Sequence, residues 1–286
     1  MRHVIPWNAG GRCYIDRLFL FLIFSALPGA ALQSAGEDTL RAPDGLFQVG
    51  EELVYEVSYL FIDLGTITAR VVAIDTVDEN IYYKTTCKIQ SYDGVPFVSL
   101  LTIFESTMDQ HLRSVSFSAR EPVEDTTWKY ITYTYDFSND VVYIMDRIGD
   151  KIVKERVDTV ALKHRQYQDG LSILYFARAF AGRSFSLDVP TLIYHDTSFT
   201  RINFDRGRTS MKIDALDYPV DVVKVDGEAG FTGIFGLTGG FRGWFSNDEA
   251  RVPIYAKLHV LIGNVDVELI QWSRKNWTPP KYSEVK

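Results

Sequence analysis

Apolar and polar residues alternate with a period of two over most of the chain beyond residue 46. The clearest case lies between Gly239 and Trp272. Its apolar face carries Val252, Ile254, Ala256, Leu258, Val260 and Ile262, and its other face carries Pro253, Tyr255, Lys257 and His259. This period is that of a half-buried β-strand. We therefore expect three consecutive antiparallel strands in this segment.

The pattern also predicts a register for the last two of these strands. A two-residue turn at Gly263-Asn264 would set Ile262 against Val265, Val260 against Val267 and Leu258 against Leu269, with His259 opposite Glu268. Gly263 would then have the structural role of a turn residue.

Further strands are predicted at 46–59, 66–74, 81–90, 114–119, 127–137, 141–148, 152–160, 184–187, 191–194, 208–216 and 220–228. Residues 95–104 form an apolar run that suits a short helix and a buried strand equally, because so short a run has no diagnostic period.

One segment breaks the strand pattern. Asp169 to Gly182 begins with an N-cap residue, ends with glycine and predicts a helix over about residues 169–181. Ser172 and Arg178 are its clearly polar interior residues, and Phe176 lies at its middle. A helix that is apolar nearly all round must be buried. The fold class that follows is mainly β: one large curved antiparallel sheet or open barrel, with this single helix against its concave face.

The N-terminus has the order of a secretory signal peptide. Arg12 and Arg17 precede an apolar run at 18–26, which small residues follow. The run is too short to span a membrane, which needs about 20 residues. We expect a signal peptide at 1–35 with cleavage between Ala30 and Gly36, a disordered leader at 36–45, a single β-rich domain at 46–273 and a frayed C-terminal tail at 274–286. An uncleaved anchor or a wrongly assigned start is the alternative.

Charge and cysteine content narrow the function classes. The chain carries a formal charge of −7, and residues 1–35 contribute a net +2 from three arginines and one aspartate, so processing changes the charge to −9. Such acidity disfavours nucleic acid as a partner. Cys13 would be lost with the signal peptide, and the remaining Cys87 is expected to be a small core residue.

Sequence motifs for catalysis, metals and cofactors do not stand out. The mature histidines, His111, His164, His195 and His259, lack the spacing of metal ligands. The glycines between 227 and 243 have no phosphate-loop Lys-Ser or Lys-Thr after them, and are better explained by a bulge, a hinge or close backbone approach. We therefore expect no catalytic residue, no metal and no cofactor, and an enzymatic role is the least favoured class.

A polar set in the turn before Val252 is the best candidate binding site. Trp244, Ser246, Asp248 and Arg251 belong to it. Ser, Asn and Asp also build turns by bonding their own backbone, and Asp248 with Arg251 would fasten such a loop. The turn interpretation is favoured over the binding interpretation.

Several segments, taken in order, resemble the domain-of-unknown-function family numbered 3108. They are the residues 47–55, Gly65, Asp169 to Arg178, Gly243 to Ile254 and Gly263. The resemblance covers about residues 46–273. It implies an envelope protein of Gram-negative bacteria, periplasmic or secreted, and supplies no reaction, cofactor or catalytic residue.

Two functional hypotheses remain open. In the first, the curved sheet holds an apolar small molecule or lipid beside the helix, since aromatic strands and an all-round apolar helix provide the surface. In the second, the protein is a structural or interaction module of the envelope with a side-chain-filled core, and its partner is an envelope protein.

Overall fold

The computed structural model describes residues 41–95, 99–124, 127–149, 154–163, 165–231, 237–260 and 263–284. The predicted signal peptide, the first residues of the predicted leader and part of the glycine-rich segment lie outside these ranges. All described residues belong to one compact unit, Gly36–Lys286.

The described ranges contain fourteen strands and one helix. They are β1 (Glu52–Tyr59), β2 (Ile62–Val77), β3 (Asn80–Ser91), β4 (Leu101–Asp109), β5 (Ser114–Glu124), β6 (Thr127–Asp136), β7 (Val141–Ile148), β8 (Lys154–Ala161), α1 (Ser172–Phe180), β9 (Phe185–Ile193), β10 (Asp196–Met211), β11 (Val220–Ala229), β12 (Leu237–Ser246), β13 (Pro253–Val260) and β14 (Gly263–Ser273). No helix in the described part of the chain has the length and apolar character needed to cross a membrane.

All fourteen strands form one open antiparallel sheet. Its order is β8-β7-β6-β5-β4-β3-β2-β1-β14-β13-β12-β11-β10-β9. Neighbours in the sheet are neighbours in the chain except at the centre, where β1 pairs with β14. The first eight strands thus make one wing and the last six make the other, and α1 lies in the chain between the two outer edges. The predicted fold class is confirmed.

Several strand predictions need correction. The two strands expected at 184–187 and 191–194 are one strand, β9, which runs through Pro190. Proline is tolerated there because β9 is an edge strand. β10 begins at Asp196 rather than near 208, and most of its side chains are exposed, which hid it among polar residues. Of the two alternatives for 95–104, the strand is right for the part that lies in β4.

The register predicted for β13 and β14 is also wrong. Leu258 pairs with Val265 and His259 with Asn264, so the two-residue connection falls at 261–262, outside the described ranges. The partner of Leu258 is thus four residues away from the predicted Leu269, and an even shift keeps the same face inward. Gly263, at φ +127°, is instead a point of close approach, because a Cβ there would lie 3.1 Å from the ring of Tyr59.

Helix α1 is buried nearly all round, as predicted. Ser172 and all residues from Tyr175 to Phe180 are buried. The helix starts at Ser172, three residues later than predicted, and it ends before Gly182, whose φ of +78° favours glycine.

The core forms around this helix. Phe176 and Phe180 pack with ring centroids 4.8 Å apart. Their cluster includes buried side chains from β2 to β7 in one wing and from β9 to β12 in the other, so the sheet surrounds the helix. Cys87 is buried in the same cluster, as expected. A second cluster joins β1, β11, β13 and β14.

Both ends of the predicted domain extend further than expected. Ala42, placed in the disordered leader, is buried and its N–H donates to Gln110 O at 2.9 Å. The C-terminal tail is not frayed within the described residues. Asp221 N–H donates to Pro280 O at 2.7 Å, and Tyr282 N–H donates to Pro219 O at 2.8 Å. Backbone bonds to the start of β11 hold the tail, which its sequence composition did not reveal.

Candidate functional site

The predicted polar set lies in the connection between β12 and β13, and three of its members meet there. Asp248 Oδ1 accepts hydrogen bonds from Ser246 Oγ at 2.7 Å and from Arg251 N–H at 3.0 Å. Ser246 Oγ accepts from Val252 N–H at 2.8 Å. These are the bonds by which Ser and Asp close turns.

This turn docks on the end of α1. Arg178 Nε donates to Ala250 O at 2.9 Å, and Arg251 Nη1 donates to Ala179 O. Carbonyl groups in the last turn of a helix lack intrahelical partners, so Arg251 caps the helix C-terminus. The turn therefore positions the helix.

Trp244 stands apart from the other predicted site residues. Its ring packs edge-on against Tyr255, with centroids 5.6 Å apart, and it takes no part in the bonds of the turn. Asp248 Oδ2 instead accepts from Trp277 Nε1 at 2.8 Å. Both carboxylate oxygens of Asp248 thus have donors from the protein itself, and a ligand-binding role for the set stays a prediction.

A buried charge cluster lies beside this turn. Arg178 binds Glu51 through two bonds, Nη1 to Oε1 at 2.6 Å and Nη2 to Oε2 at 2.8 Å. Arg274 also donates to Glu51 and to the carbonyl groups of Gly45 and Leu46. The cluster fastens α1 to the residues before β1 and after β14.

The electrostatics of this cluster favour the charged state. Burial alone would raise the pKa of Glu51, but the hydrogen bonds and charges of Arg178 and Arg274 outweigh burial and lower it. Burial acts to lower the pKa of Arg178, but the hydrogen bonds that Arg178 donates to Glu51 and the negative charge of Glu51 outweigh burial and raise this pKa. Two arginines around one glutamate leave no free carboxylate for acid–base chemistry.

A second buried carboxylate, Asp169, organises the other end of α1. Its Oδ1 accepts the N–H groups of Leu171 and Ser172, each at 2.8 Å. Its Oδ2 accepts from Ser106 Oγ at 2.8 Å and from Ser114 Oγ. Burial raises the pKa of Asp169, against the opposing effect of these bonds. Asp169 therefore ties the helix start to β4 and β5.

The two wings approach each other near the start of α1. A cavity of about 50 Å³ lies there, lined mainly by apolar side chains such as Phe104, Phe117, Ile131 and Leu192. His195, between β9 and β10, bridges the wings, with Nε2 2.7 Å from Asp146 Oδ2 on β7. We call this junction the seam.

Sequence reasoning missed most of these polar partners. Arg178 on an apolar helix was a signal that a buried counter-charge must exist, but nothing in the sequence pointed to Glu51 or Arg274. In the described ranges, no three His, Cys, Asp or Glu side chains stand close enough together to hold a metal ion. Burial raises the pKa of the Cys87 thiol to about 12, which disfavours a nucleophilic thiolate.

A family model matches residues 54–270, which include twelve of the fourteen strands in full, the helix and the polar turn. The chain belongs to the DUF3108 family. That family is described as a protein of unknown function, so membership in DUF3108 gives the chain no activity. No curated protein matches the chain.

Two solved structures are similar in outline. One is a beta-barrel-like protein of domain of unknown function DUF1849 from Brucella abortus, 8% identical, with a TM-score of 0.47, covering 79% of this chain and 98% of that chain. The other, provisionally described as a lipoprotein from Parabacteroides distasonis, is 9% identical, with a TM-score of 0.32 and coverage of 79% and 96%. Similarities this low carry no argument about function.

Proposed function

We propose that this protein is a non-enzymatic structural or interaction module of the bacterial cell envelope, which acts through its surface. The packed interior of the curved sheet supports this proposal. The cavity at the seam has about 50 Å³, whereas small-molecule pockets measure roughly 300–1,000 Å³. One water takes about 30 Å³ in the liquid, so this cavity is too small for an acyl chain.

The envelope address is part of the proposal. It rests on the basic residues and the apolar run within residues 1–35, which have the order of a signal peptide. A mature chain with the lone, buried Cys87 needs no disulfide and would fold in an oxidising compartment without mispairing.

An apolar-ligand carrier is the second candidate. Two features of the cavity favour the carrier: the lining of the cavity is mainly apolar, and the cavity lies at the seam. At the seam, side chains such as His195 join the two wings, and no strand pairing does. Separation of the wings would enlarge the cavity toward the size of an acyl chain.

Native mass spectrometry of protein purified from the periplasm distinguishes the two functions. A module should carry no stoichiometric lipid, and Ala119→Val, which adds two methyl groups at the cavity wall, should still complement a deletion strain. A co-purifying lipid that Ala119→Val displaces, together with lost complementation, would establish the carrier instead.

A further inference from the structure

The connection between β1 and β2 is unusually apolar. Tyr59 pairs with Ile62, so Leu60 and Phe61 form a two-residue hairpin loop. Phe61 is 100% exposed, Leu60 68% and Ile62 54%. We call these three residues the apolar tip.

The apolar tip contradicts ordinary turn chemistry. Two-residue hairpin loops favour glycine or asparagine where a central residue adopts positive φ, and Leu60 has φ +57°. The next hairpin along the same strand uses polar residues, Asp78 and Glu79, at φ +46° and +67°. Leu60 thus combines backbone strain with exposed apolar surface, and the exposed ring of Phe61 lies next to it. Local conflicts of this kind are expected at functional positions.

Other exposed apolar side chains share this rim of the sheet. The registers place the ends of β3, β5 and β9 at the same rim as the apolar tip. Tyr92, Val123 and Tyr194 lie there, 39%, 52% and 45% exposed. Tyrosines at this level suit a membrane–water interface, where amphipathic rings are enriched.

The charges around the apolar tip select the kind of surface. From Glu56 to Gly65 the hairpin carries two carboxylates, Glu56 and Asp63, and no basic residue. An anionic lipid surface would repel it, because membrane attraction of that type needs Lys or Arg. Asp63 lies two residues from Phe61, about 7 Å at strand rise. That depth matches the roughly 5–10 Å to which interfacial apolar groups penetrate a bilayer.

We propose that the apolar tip inserts into the surface of a lipid bilayer with zwitterionic headgroups. Phe61 and Leu60 would enter the acyl boundary, while Asp63 and the tyrosines of the rim stay among the headgroups. A two-residue hairpin loop is convex and presents its side chains in several directions, which suits a fluid bilayer. This inference rests on the proposed function, since it names the partner of the module's surface.

Vesicle co-sedimentation of the processed protein tests the proposal. Vesicles of phosphatidylcholine and phosphatidylethanolamine should bind the protein, and added phosphatidylglycerol should weaken binding. Leu60→Gly with Phe61→Asn places glycine at the position of positive φ, so the double variant should fold at least as well as the wild type. It should bind about tenfold or more weakly, given the transfer free energy of a buried Phe or Leu. Val77→Ser, a 54% exposed apolar residue at the opposite end of β2, is the matched control and should bind normally.

A Phe61→Trp variant adds a spectroscopic readout, a blue shift of its emission on adding zwitterionic vesicles. Equal binding by the wild type and the double variant would overturn the proposal, as would the absence of any vesicle binding. Self-association in sedimentation equilibrium that the double variant abolishes would overturn it too, in favour of a second copy as the occupant. None of these outcomes changes the lipid content or the cavity-filling result that test the proposed function, so the two failures are distinguishable.

Discussion

Arg178 and Glu51 form a two-point ion pair in the protein interior, with side chains that are each 1% exposed. They are 127 residues apart in the sequence. Removing one partner of such a pair leaves a buried charge and costs about 3–5 kcal/mol.

Arg178→Ala should therefore lower the free energy of unfolding by about 3–5 kcal/mol, measured from urea midpoints. Arg201→Ala is the matched control, because its two bonds to Asp188 lie at the surface, with side chains 60% and 48% exposed. Exposed pairs are screened by water and contribute little to stability, so Arg201→Ala should leave the urea midpoint nearly unchanged. Equal losses of stability in the two variants would contradict the assignment of Arg178 to a buried ion pair.

Stability should fall in acid partly through Glu51. Burial acts to raise the pKa of Glu51 above the ordinary value of 4.5. The hydrogen bonds and positive charges of Arg178 and Arg274 outweigh burial, so the pKa in the folded protein is lowered. A lowered folded pKa gives stability that is present above the unfolded pKa and is lost as pH falls through the folded pKa. Glu51→Gln should therefore show a shallower acid limb in melting temperature against pH. An unchanged acid limb would mean that other carboxylates cause the loss of stability in acid.

Asp169 should behave with the opposite sign. Burial raises its pKa from the ordinary 3.8, so its ionisation costs stability as pH rises from the unfolded pKa through the folded one. Asp169→Asn keeps an acceptor for the helix N–H groups and should stay within about 1 kcal/mol of wild type at neutral pH. Asp169→Ala leaves buried donors unpaired and should cost at least about 2 kcal/mol. Chemical denaturation of both variants checks this, and similar losses in both would contradict the capping role.

Phe176 is buried at the middle of α1. Phe176→Ala should leave a cavity and cost about 3–5 kcal/mol in urea denaturation. Phe61→Ala makes the same chemical change at a fully exposed site and should cost little. An unchanged urea midpoint for Phe176→Ala would contradict the buried helix.

Two substitutions in the polar turn distinguish a binding role of this turn from a purely structural role. Asp248→Asn keeps size and an acceptor, and Arg251→Gln removes the charge that caps Ala179 O. A purely structural role predicts a stability loss of up to about 3 kcal/mol, the range for a hydrogen bond to a charged group, and full complementation of a deletion strain by the folded variants. Normal melting temperature with failed complementation in either variant would support the predicted binding site.

The signal peptide prediction concerns the mature N-terminus. N-terminal sequencing of the secreted protein should give a start between Ala31 and Gly36. Recovery of an intact Met1 from soluble cytoplasmic protein would contradict both the signal peptide and the envelope address.

The sequence by itself determined which residues face inward and where the helix lies. Alternation in segments such as Val252–Val260 and the all-round apolar helix both report burial, a property that local spacing encodes because each backbone geometry has a fixed period. Even the wrong register of β13 and β14 kept Leu258 and Val265 on the inner face, since the error was an even number of residues.

Tertiary structure decided which groups meet. The pairing of β1 with β14, the contact of Glu51 with Arg178 and Arg274, and the convergence of Ser106 and Ser114 on Asp169 join residues between 55 and 223 positions apart. These contacts depend on how the sheet curves around the helix, and the local spacing of apolar residues in the sequence carries no information about that curvature. The exposed Phe61 shows the same limit: it lies between two predicted strands, and only the hairpin geometry places it in solvent.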